Sequence, residues 1–157
     1  MAQYTINVNA TSNSSANTDD VFIQLVNTAA VTAMVKRVRV SFPATTPADF
    51  EAQIKVARFS ATSAATTTAA SELKRRQNGP AGICTGFTKS GTNAFGTGTV
   101  TDTVIQASVN TRSVFEWIAR DEYDYIEAAL GTTAGVNVVV QVSSASQLIN
   151  AEMDYEE

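Results

Sequence analysis

Apolar residues recur at every second position through much of this chain. Val136, Val138, Val140 and Val142 mark one such segment, and Tyr4, Ile6 and Val8 mark another. Side chains of an extended strand point alternately to opposite faces, so a period of two builds a half-buried strand and not an amphipathic helix. No amphipathic helical pattern longer than two turns accompanies these segments. The chain is therefore all-β in class, and a doubly wound α/β fold is excluded.

The segments can be followed in order. Val21–Val26 is apolar enough to be buried on both faces. Val31–Phe42 gives the longest strand signal, with Val31, Ala33 and Val35 at odd positions and Val38, Val40 and Phe42 at even ones. The change of phase at Lys36-Arg37 predicts a β-bulge or a strand that switches sheets. Pro43 and Pro47 end it, because proline cannot donate to a ladder. Phe50–Phe59 is a fourth strand. Thr99–Val109 alternates again, with Val100 and Val104 opposite threonines. In Val114–Ile118, Phe115 and Trp117 share a face. Asp121–Leu130 fits either a helical turn or a strand, and Met153–Tyr155 fits a short final strand.

Asn9–Thr18 is polar and turn-rich. Ser60–Ser71 is nearly all Ala, Thr and Ser and reads as an extended loop. Glu72–Arg76 is charged. Ala81–Gly98, with recurring glycines, reads as a long surface loop holding one short strand. The expected architecture is a single domain over 1–157, a jelly-roll-like antiparallel β-sandwich of about eight strands with long loops and little helix. A polar stretch around 9–20 reads as a mobile arm, and 60–98 as a long loop region. Val38, Val40, Ile54, Val56, Phe115, Val138 and Val140 form the expected core.

Composition narrows the function. Charged residues are 17% of the chain, against a usual share of about 25%. Small neutral residues fill the gap: 24 Ala, 21 Thr, 13 Ser and 10 Asn. The net charge of −4 disfavours free nucleic acid, whose phosphates need a basic face. The absence of histidine excludes His-ligated metal sites and Ser-His or Cys-His catalysis. With Cys84 as the single cysteine, no intramolecular disulfide forms, and a reducing cytoplasm is the simpler place of assembly. No run of apolar residues is long enough for a membrane-spanning helix. Met1–Thr11 lacks the basic and apolar regions of a secretory signal.

Few residues carry chemistry. Glu116, Asp121, Glu122 and Asp124 lie near Trp117, Tyr123 and Tyr125. Paired carboxylates over an aromatic cleft suit glycoside hydrolysis, and an acidic group suits Ca²⁺, but a solvated loop accounts equally for the pattern. Lys36, Arg37 and Arg39 form one basic group, and Lys74, Arg75 and Arg76 another. They are candidate contacts to an acidic protein surface, against the plainer reading of solvated faces. Cys84 has no cationic neighbour and reads as a packed thiol. Phe87 and Phe95 need cover and are candidate subunit contacts. No cofactor is expected and no catalytic residue stands out.

Three features together suggest a family. A basic-apolar strand, Met34–Phe42, precedes a Pro/Thr turn and a second strand, Gln53–Phe59. A stretch of small residues and a charged turn follow. The chain closes on the valine-rich strand Val136–Val142 and a hydrophobic-acidic end, Tyr155-Glu156-Glu157. This resembles the small jelly-roll auxiliary proteins, also called decoration or cement proteins, of tailed bacteriophage capsids. The resemblance implies a non-enzymatic virion protein, assembled in the host cytoplasm. It would bind the major capsid protein on the outside of the head, self-associate as a homotrimer and bridge neighbouring capsomers. The alternative is a carbohydrate- or receptor-binding module of a head fibre or tail tip, with Trp117, Tyr123 and Tyr125 as a stacking platform.

Overall fold

The structure, a computed structural model, describes residues 2–13, 15–27, 32–43, 49–61, 68–69, 73–74, 84–89, 99–128 and 133–157. Within them lie twelve strands: β1 (Gln3–Thr11), β2 (Asp20–Val26), β3 (Met34–Ser41), β4 (Glu51–Ala61), β5 (Thr68–Ala69), β6 (Leu73–Lys74), β7 (Thr85–Thr88), β8 (Thr99–Asn110), β9 (Phe115–Ile118), β10 (Ile126–Glu127), β11 (Gly135–Val142) and β12 (Leu148–Glu156). One 3-10 turn, Glu122–Asp124, completes the set. No helix among the described residues is long and apolar enough to cross a membrane.

The strands form two antiparallel sheets. The first runs β10-β3-β12-β1-β6, with β9 also on β3, and the second runs β5-β7-β2-β11-β4-β8. β9 and β10 pair with successive parts of β3, so together they are one edge strand interrupted by residues 119–125. With that strand counted once and the short β5, β6 and β7 set aside, eight strands remain. In chain order they stand 1-8-3-6 in one sheet and 2-7-4-5 in the other. That is the jelly-roll arrangement.

The sandwich is filled as the alternation dictates. Val136, Val138, Val140 and Val142 all point inward from β11, beside Ile54 and Val56 of the neighbouring β4, and share one core with Val38 and Val40 of β3 in the other sheet. Each of these eight is buried, and Phe115 packs against them half-buried, so the expected core is the observed one. β2 is buried along its whole length. A bulge lets it serve two layers: Ile23 pairs with Val138 and Val21 with Val139, leaving Phe22 as the extra residue. Phe22 and Ile23 then join the main core, while Val21 packs with Val139 and Phe87 on the opposite face.

The phase change seen in the sequence of β3 is a bulge. Asp154 of β12 pairs with Arg37 and Tyr155 with Val35, so Lys36 is the extra residue. Asn9–Thr11 complete β1, and the turn beyond it is tied down. Ser12 N donates to Gln147 O at 2.7 Å, Asn13 N to Asp20 Oδ2 at 2.8 Å and Asn17 N to Val142 O at 2.7 Å.

Three details differ from the sequence reading. β12 spans nine residues and sits between β1 and β3, not as a three-residue terminal strand. Its inward residues Ile149, Ala151, Met153 and Tyr155 are buried, so the C-terminal segment is a central strand of the first sheet. In β8 the inward residues are Ile105, Ala107 and Val109, while Val100 and Val104 are 41% and 39% exposed. Register shifts along β4 and β8 reset the phase that their alternation implied. The segment Asp121–Leu130, open between a helical turn and a strand, holds both the 3-10 turn and β10 within its described residues 121–128.

Candidate interaction surface

The solvent side of the first sheet gathers most of the charge singled out above. Alternation in β3 turns Arg37 and Arg39 outward together, while β12 supplies Glu152 and Asp154 and β9 supplies Glu116. The register sets Arg39 directly between Glu152 and Glu116. The ion pairs nevertheless run diagonally, to Arg37. Its Nε donates to Glu116 Oε1 at 2.8 Å, and its Nη1 donates to Glu152 Oε1 at 2.6 Å and to Asp154 Oδ2 at 3.3 Å. Asp154 also accepts from Thr5 Oγ1 at 2.6 Å. The hydrogen bond to Glu116, with the charges of Glu152 and Asp154, raises the Arg37 pKa further above its ordinary value.

Lys36, displaced by the bulge, reaches elsewhere. Its ammonium pairs with Glu156 and lies 5.0 Å from the centre of the Tyr125 ring. Burial alone would lower its pKa, but the hydrogen bonds and charges of Glu156 and Tyr125 outweigh this and raise it. Arg39 is exposed and makes no ion pair among the described residues. It borders a groove of about 410 Å³ with Asn7, Asn9, Ser41 and Asn150. Three cations thus face four carboxylates: Lys36, Arg37 and Arg39 against Glu116, Glu152, Asp154 and Glu156. The basic strand read from the sequence is a neutralised lattice in the fold, with one cation left over.

The second basic group is partly in view. Lys74 lies on β6, opposite Tyr4 at the far edge of the same sheet. The intervening strands β1 and β12 place it about 14 Å from β3, at roughly 4.8 Å per strand. Arg75 and Arg76 lie outside the described residues, as does Phe95. Phe87 is half-buried against Val21 and Val139 on the outer side of the second sheet.

Three of the four carboxylates near the aromatics are already engaged, and the fourth, Glu122, is exposed on the 3-10 turn. Glu116 belongs to Arg37. Asp124 accepts from Arg120 Nε at 2.8 Å, and that hydrogen bond holds its carboxyl below the usual carboxylate range. Asp121 Oδ1 caps the 3-10 turn by accepting from Tyr123 N at 2.9 Å. The aromatics do not share a face. Trp117 pairs in register with Val38 and packs against the core, Tyr125 lies under Lys36, and Tyr123 projects alone with 91% of its surface exposed. Cys84 is buried, with its Sγ 3.7 Å from Asn27 Oδ1.

One polar pair was not legible beforehand. Lys89 Nζ meets Asp20 Oδ1 at 2.7 Å in the interior, above the Phe22 ring. The two residues are far apart in sequence, and neither stands in a motif. No protein-family model matches this chain, and no curated protein or solved structure matches it.

Proposed function

We propose that this chain is a structural virion protein that binds the outside of a tailed-phage capsid and bridges neighbouring capsomers, acting through its surfaces and carrying out no reaction. The observation that carries this reading is the charge lattice on the first sheet. Arg37, Lys36, Glu116, Glu152, Asp154 and Glu156 hold one another, which suits a rigid contact face and occupies the groups that chemistry would need. The jelly-roll topology is in keeping with it, since such sandwiches recur in viral shells. Arg39, exposed beside the groove, is the cation available to an acidic partner surface.

The test is attachment to heads of the phage whose genome carries this chain, prepared without it. Purified protein is expected to bind at a fixed ratio to the major capsid protein and to raise the temperature at which the heads open. Arg39→Glu is expected to weaken attachment while leaving the folding midpoint unchanged, because an exposed charge contributes little to stability. Heads that neither bind the protein nor gain stability from it would reject the reading.

A further inference from the structure

Each sheet of this sandwich has two edges, and the described residues treat them differently. On the first sheet one edge is β1, covered at Tyr4 and Thr5 by the two-residue β6, and the other is β9 and β10, interrupted by the capped turn at 119–125. On the second sheet one edge is the two-residue β5. The remaining edge is β8, twelve residues long, which among the described residues pairs with β4 alone. Short or broken edges are the usual protection against strand addition, and lysine or proline is another. β8 contains neither lysine nor proline, and its one charge, Asp102, is held by Arg58 at 2.9 Å.

The two halves of β8 are not equivalent. From Thr99 to Thr103 its pairing with β4 is interrupted by register shifts. From Ile105 to Asn110 it is regular and uncharged. In this half Ile105, Ala107 and Val109 are half-buried toward the core, while Gln106, Ser108 and Asn110 are exposed. A two-fold axis near Ala107 would set Ile105 against Val109 and Gln106 against Ser108. Within Ile105–Val109 apolar then meets apolar and polar meets polar, the next pair outward sets Val104 against Asn110, and no like charges oppose each other. The segment is complementary to itself.

We infer that β8 pairs with β8 of a second copy of this chain, antiparallel across a two-fold near Ala107, joining the two six-stranded second sheets into one. The contact is isologous, as an edge paired with itself must be. It does not depend on the capsid reading.

The test is sedimentation of the full chain at high micromolar concentration, beside two double variants on the exposed side. The unaltered chain is expected to form an even-numbered species. Gln106→Lys with Ser108→Lys places four cations around the axis, and is expected to halve the mass and weaken association by about tenfold or more. Gln106→Glu with Ser108→Glu is expected to behave likewise. An equimolar mixture of the two variants is expected to restore the full mass, which a folding defect in either could not do. An odd-numbered or monomeric unaltered chain would overturn the pairing. So would a lysine variant that associates normally, or a mixture that fails to recover. A strand from a different protein seated on β8 would leave this chain monomeric, and so falls among the overturning results.

Discussion

Asp20 and Lys89 form an ion pair at 2.7 Å with side chains only 2% and 0% exposed. Asp20 begins β2, and Lys89 follows β7, the strand beside it. The second carboxylate oxygen of Asp20 accepts from Asn13 N at 2.8 Å, so one buried group ties together β2, the end of β7 and the turn after β1.

Removing one partner takes the opposite charge away from the other while it stays buried. Asp20→Ala is expected to cost about 3–5 kcal/mol. Lys89→Met alone should also destabilise, but Asp20→Ala combined with Lys89→Met should recover much of the loss. A double-mutant cycle by urea denaturation measures this coupling. Additive effects would show that the pair does not act as a unit.

Gly135 permits the close approach of β11 to β2. A Cβ built there would lie 1.8 Å from the backbone oxygen of Leu25 and 2.9 Å from Cζ of Phe59. A backbone atom in the middle of a sheet cannot step aside as a flexible side chain can. Gly135→Ala is expected to cost about 1–3 kcal/mol, seen as a lower denaturation midpoint. An unchanged midpoint would mean that the β2–β11 spacing is wider at this point.

These two sites also show where sequence reading stops. The valines of β11 and the phase change in β3 are local patterns, and both the core and the Lys36 bulge follow from them. β12 alternates as cleanly, with Ile149, Ala151, Met153 and Tyr155 inward. Its Ala, Asn, Glu and Asp residues are poor strand formers, and they obscured the period. In β8 the register shifts altered which valines face inward. The partners of Arg37 lie 79, 115 and 117 residues away, so no local pattern could have assigned them. Only the jelly-roll order of strands brings β9, β3 and β12 side by side.

The Lys36–Glu156 pair gives a pH dependence of known sign. The folded-state pKa of Lys36 lies above its ordinary value. Its contribution is therefore fully present below the ordinary lysine value and is lost as pH rises through the raised one. The stability difference between the unaltered chain and Lys36→Met is expected to hold steady from neutral pH into mild alkali. It should shrink only above 10.5, the ordinary lysine value. Denaturation midpoints measured across that range provide the check, and a difference that faded near neutral pH would contradict the assignment.

Adjacent positions on β11 make the sharpest test of the sandwich. Val138 and Asn137 are both fully buried, but they face opposite sides of the sheet. Val138 lies between Ile23 and Val56 and belongs to the apolar cluster of the inter-sheet layer. Val138→Asp should prevent folding, and Val138→Ala should cost about 2–4 kcal/mol. Asn137 is tolerated one residue away because Gln24 Nε2 donates to its Oδ1 at 3.0 Å. Asn137→Val alone takes away the acceptor of the Gln24 amide and should cost about 1–3 kcal/mol, and Gln24→Leu beside it should recover part of that loss. Circular dichroism and urea denaturation of the four variants separate the two faces. If Val138→Asp folds and Asn137→Val is harmless, β11 is turned over relative to both its neighbours.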